Sequence, residues 1–116
     1  MNQPITKGTP PPKIRLWLDD CRPLPAGWDR QVLTAPEAIA LLAAGVVAAI
    51  SLDHDLGPTE AGTGYDVARW IEEAAYRGSI SRVDWHLHTD NPVGRERMRA
   101  ALINADRFWE RSKPCT

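Results

Sequence analysis

Residues 46–57 read VVAAISLDHDLG: an apolar run that ends, where a plain turn is expected, in two aspartates flanking a histidine. Val46–Leu52 has the composition of a central parallel strand covered on both faces. In sheets built from such strands, ligands bind outside the carboxyl ends. Asp53, His54 and Asp55 therefore stand where an α/β fold does its chemistry. Side chains alternate along a strand, so Asp53 and Asp55 face one way, while His54 faces the other and serves as support.

The flanking sequence supports this reading. Ile14–Leu18 is a short strand that ends in Asp19-Asp20. CRPLPAGWDRQ follows, too rich in proline and glycine for a useful helix, and Val32-Leu33 forms a short second strand. Thr34-Ala-Pro-Glu37 has the form of a capping box, and Gly45 is placed to end the helix it opens. GPTEAGTG reads as a loop. Thr63 caps a second helix with Asp66 three residues on; its stripe is Val67, Ile71, Ala74 and Ala75, and it ends near Gly78. Val83, Trp85 and Leu87 alternate with Asp84, His86 and His88, which marks another strand. Asn91-Pro92 opens the last helix, with the stripe Met98, Leu102, Ala105 and Trp109. Alternating strands and helices predict an α/β fold, a mostly parallel sheet of about four strands with three main helices. One domain is expected over 14–111, between a flexible Pro-rich tail (1–13) and a short C-terminal tail (112–116).

Composition bounds the function. The 116 residues are 43% hydrophobic and 25% charged, with net charge −1, so there is no global pull toward nucleic acid or an anionic membrane. Charge is uneven: Arg95 to Lys113 holds six basic residues against three acidic ones. Cys21 and Cys115 lie far apart with no CxxC, which fits a reducing cytoplasm. Met1–Lys13 lacks the apolar core of a signal peptide. The longest uncharged run, Ala38 to Leu52, falls short of the roughly 18 residues a membrane span needs.

Three strand ends carry polar clusters: Asp19-Asp20, Asp53-His54-Asp55, and His88-Thr89-Asp90-Asn91. A lone aspartate after a strand is ordinarily a turn cap. An adjacent pair beside a third carboxylate is different, because close carboxylates repel unless a cation sits between them. Oxygen ligands favour Mg²⁺ or Mn²⁺, and a histidine widens the choice toward Fe²⁺ or Zn²⁺. His88, at its strand end, is a candidate acid, base or ligand; His86, further back, reads as a hydrogen-bonded core residue under a helix. Asn91 caps the last helix, whose free N–H groups and Gly94 suit an anion, with Arg95 nearby. The five tryptophans read mostly as core, although Trp28, in the Pro/Gly loop, is a candidate pocket residue.

With these residues in place, the chain resembles the receiver domains of two-component signalling. Asp19 and Asp20 match their metal-binding pair, Asp53 the phosphoacceptor, Gly64 the helix-opening glycine and Thr89 the hydroxyl position. LDDCRPLPAGW, SLDHDLG, GTGYDVARWIE and HTDNPVGRERM are closer to one small relative, the cyclic-phosphate processing receiver domain, over about Ile14 to Ala105. Thr89 stands where that family usually carries serine. The resemblance implies a receiver-like (flavodoxin-like) fold, here without the first crossover helix or the fifth strand. Also missing is a lysine at a strand end: the lysines are Lys7, Lys13 and Lys113.

The implied activity is a metal-dependent phosphoesterase acting on a small or terminal phosphate, such as the 2′,3′-cyclic phosphate of a nucleotide or of damaged RNA awaiting repair. On that reading Asp19, Asp20 and Asp53 hold Mg²⁺ or Mn²⁺, and Asp53 is also placed at the reacting centre. His88 or Asp55 moves protons, while Thr89, Asn91, Arg22 and Arg95 contact the phosphate. The alternative is a non-catalytic receiver-like module that binds metal or phosphate and regulates a partner.

Overall fold

The structure, a computed structural model, describes residues 12–112. The N-terminal tail before Pro12, and Lys113 and Cys115 in the C-terminal tail, lie outside the described residues. Four strands form one sheet: β1 (Ile14–Leu18), β2 (Arg30–Val32), β3 (Val47–Leu52) and β4 (Asp84–Leu87). Their order is β2-β1-β3-β4 and every pair is parallel. The helices are α1 (Ala35–Ala43), α2 (Gly64–Arg77) and α3 (Pro92–Arg111). The short second strand begins before Val32-Leu33, and Leu33 itself is exposed. The loop before α2 contains a 3-10 turn, Thr59–Ala61.

The local signals explain the boundaries. Thr34 accepts from the Glu37 N–H, and Glu37 reaches back to the Leu33 N–H, which opens α1. Thr63 and Asp66 exchange both bonds of a capping box at α2, and Gly78 ends that helix with φ 69°. Asn91 accepts from the Gly94 N–H at the start of α3.

Connections β2-α1-β3 and β3-α2-β4 cross the sheet in the same direction. Right-handed crossovers therefore put α1 and α2 on one face, and α3 packs against α2. The core fills that side: Leu16, Leu18, Val32, Ile50 and Leu52 of the sheet meet Leu42, Val67, Ile71, Met98 and Leu102 of the helices. Burying each such side chain stabilises the fold by about 1.5–3 kcal/mol.

Among the described residues the opposite face has no helix, because the β1–β2 connection is a loop. The expectation that β3 is covered on both faces is corrected accordingly: Ala49 is only half-buried there. Trp17 is nearly buried beneath Trp28, which meets it edge-on at 5.4 Å. Arg15 pairs with Asp29, and Gln31 donates to the carbonyls of Asp19 and Arg22, so the loop is tied down without a helix. His86 is exposed on this face with its ring edge-on to Trp28, and it is not the core histidine the sequence suggests. Among the described residues no helix stands above it.

Candidate functional site

The site is built from one row of the sheet. In the parallel register Trp17, Ser51 and His86 lie side by side on the helix-free face. Two residues on, Asp19, Asp53 and His88 continue that face past the strand ends, held by backbone bonds from the Asp53 N–H to Leu18 and the His88 N–H to Leu52. Among the described residues these three form the group able to hold a metal ion, with ligand atoms within 4.8 Å of one another.

Asp19 is fully buried. Its Oδ1 accepts from the N–H groups of Cys21 and Arg22, and its Oδ2 from His88 Nε2 at 3.0 Å. Burial works against its charge, but these donors outweigh it and hold the carboxyl below its ordinary value. Asp53 goes the other way: burial, then the charge of Asp19, pushes its carboxyl up despite bonds from the Thr89 hydroxyl and the His54 N–H. His88 is pushed down by burial, against the bond and charge of Asp19, which work to raise it.

The remaining candidates divide. Asp20, Asp53, Asp55 and Thr89 line one crevice of about 280 Å³ with Cys21, Arg22 and Asp90. The Asp20 carboxylate lies against Gly57, outside the metal-competent group. Arg22 donates to the His88 carbonyl at 2.7 Å and pairs with exposed Asp90 at 2.9 Å. Asp55 is largely exposed and bonded to His54 Nδ1 at 2.9 Å, which holds its carboxyl below the ordinary value. Asn91 is occupied as the α3 cap, and Arg95 is exposed in the first turn, away from the crevice lining.

Two glycines set the spacing. A side chain at Gly64 would collide with the Asp53 carbonyl, so α2 begins directly behind Asp53 only because that residue is glycine. The space beside Gly94 is filled by the His54 ring and not by an anion site. His54 therefore packs against the first turn of α3, while its Nδ1 meets Asp55. Sequence reasoning missed Ser51, whose Oγ lies 2.7 Å from His88 Nδ1. Alternation along β3 was the available signal, since it places Ser51 on the same face as Asp53.

The donor set fits a hard divalent cation. Two carboxylates meet at adjacent strand ends, and one is disfavoured in its charged form by the other, a repulsion a cation would relieve. The family model described as the cyclic-phosphate processing receiver domain matches residues 14–104, and the chain belongs to that family. Neither a curated protein nor a solved structure matches it. No helix among the described residues is long and apolar enough to cross a membrane.

Proposed function

We propose that this member of the cyclic-phosphate processing receiver family is a metal-dependent phosphoesterase acting on a small or terminal phosphate, with a 2′,3′-cyclic phosphate of a nucleotide or RNA end as substrate. The observation that carries the reading is the Asp19–Asp53 pair, two carboxylates brought together beside His88, with Asp53 also lining a polar crevice. Asp19 and Asp53 hold the cation, Mg²⁺ or Mn²⁺, with Asp20 reachable from the same crevice. When bound, the cation supplies charge neutralisation at the phosphoryl oxygens and acidifies a water.

The chain's own groups do the rest. Asp55 is ionised and lies in the crevice, so it is the acceptor for the water proton, steadied by His54. Proton transfer of this kind contributes about 10²–10⁴ in rate. Thr89 orients Asp53 and stands beside the phosphate oxygens. Arg22 is already anchored through the His88 carbonyl, and its pair with exposed Asp90 is weak enough to exchange for a phosphate oxygen.

A regulatory receiver would need Asp53 to accept a phosphoryl group and a lysine to read it out. Lys13, the one lysine among the described residues, precedes β1 at the opposite end of the strands. The test incubates the protein with Mg²⁺, Mn²⁺ or Zn²⁺ and either 2′,3′-cyclic nucleotides or RNA carrying that end. The expected result is metal-dependent ring opening that Asp53→Asn lowers at least about 100-fold. No turnover with any cation, together with labelling of Asp53 by acetyl phosphate, would establish the regulatory module instead.

A further inference from the structure

His88 is held on every side. Its ring stacks on Trp17 with centroids 3.8 Å apart and planes 10° from parallel. Nε2 lies 3.0 Å from Asp19 Oδ2, Nδ1 lies 2.7 Å from Ser51 Oγ, and its carbonyl accepts from Arg22. Ser51 is 2% exposed and Asp19 fully buried, so water does not compete for either contact.

The donor inventory then settles the hydrogen-bond order. An ionised carboxylate only accepts, so the Nε2 that faces Asp19 carries the proton. On the other side of the ring, the Ser51 hydroxyl is the partner of Nδ1 among the described residues. The ring nitrogen nearest the carboxylates therefore presents an N–H rather than a lone pair.

We propose that Ser51 is a positioning residue of the carboxylate site: its hydroxyl bonds His88 Nδ1 and aims the Nε2–H at Asp19, so that His88 orients Asp19 and stays out of the cation's coordination. The consequence is a two-carboxylate site suited to Mg²⁺, in place of the Asp₂His site that proximity alone suggests. A cation that took Nε2 as ligand would have to displace that proton and break the bond to Asp19. The statement about the cation rests on the function proposed above; the statement about the ring does not.

The test has two arms. The first reads the His88 ring by long-range ¹H–¹⁵N correlation in the full chain, without divalent cation and then with saturating Mg²⁺; His88→Gln assigns the signals. The expected pattern is a protonated Nε2 in both conditions. An unprotonated Nε2, before or after Mg²⁺, would overturn the proposal. The second arm measures Mg²⁺ affinity by calorimetry alongside thermal melting. Ser51→Ala is expected to weaken Mg²⁺ by about 10–100-fold, as loss of an outer-shell partner does, while Ser51→Thr keeps the hydroxyl and the affinity. A lower melting temperature with unchanged Mg²⁺ affinity would mark Ser51 as merely structural and sink the idea. Wild-type protein that binds neither Mg²⁺ nor Mn²⁺ would remove the phosphoesterase reading, and the proton on Nε2 would then decide the ring's hydrogen bonds alone.

Discussion

Asp53 bears the unfavourable part of the site's electrostatics. Burial and the Asp19 charge raise its carboxyl, so the folded state binds its proton more tightly than the unfolded chain does. Its stabilising contribution is complete below the ordinary carboxylate range and is lost as pH rises through the folded value. At neutral pH without divalent cation, charged Asp53 therefore works against folding. Asp53→Asn keeps an oxygen for the His54 N–H and the Thr89 hydroxyl but discards the charge. In chelator, the variant is expected to melt no lower than wild type, and saturating Mg²⁺ should raise the melting temperature of wild type only. A clear loss of apo stability in the variant would instead make Asp53 a structural cap. The position of Asp53 at its strand end was legible because SLDHDLG follows an apolar strand directly. The bonds that hold His88 were not, because Asp19, Ser51 and His88 come from three strands, and which nitrogen each partner meets is a tertiary fact.

The elements carry a second kind of information, about how closely helices approach the strand ends. Capping signals at Thr34, Thr63 and Asn91 are local, spanning three residues, so the sequence marked the starts of all three helices. The burial of His86 was misread because it depends on a layer that the intervening CRPLPAGWDRQ does not build. Gly94 has a role the pattern could not distinguish: the imidazole of His54 lies flat where a β-carbon would stand. Gly94→Ala must displace that ring or push the first turn of α3 outward. Overpacking of this kind costs about 1–3 kcal/mol. Because His54 steadies Asp55, the variant is also expected to lose phosphoesterase turnover while retaining Mg²⁺ affinity, which calorimetry and the cyclic-phosphate assay separate. Unchanged turnover in folded Gly94→Ala would detach the His54–Asp55 pair from the reaction.

At the scale of the fold, the described residues layer the sheet with helices on one side only, and a loop stands in for a helix on the other. That substitution bears on the site. The loop contributes Trp28, which lies against Trp17; Trp17 in turn stacks on His88, which orients Asp19. The loop also supplies the two N–H groups that Asp19 Oδ1 accepts. A helix there would bury the face more completely, but the loop puts Arg22 at the His88 carbonyl and leaves the crevice open. The buried indole N–H of Trp17 has no hydrogen-bond partner among the described residues, so this cover rests on aromatic contact rather than polar pairing. Trp28→Ala consequently tests the coupling between the open face and the site. It should cost about 1–3 kcal/mol, less than a core tryptophan because Trp28 is only half-buried. It should also shift tryptophan emission to the red as Trp17 meets water, and weaken Mg²⁺ binding as the His88 ring loses its backing. A stability loss alone, with emission and Mg²⁺ affinity both unmoved, would mean that the loop covers the sheet without supporting the carboxylates.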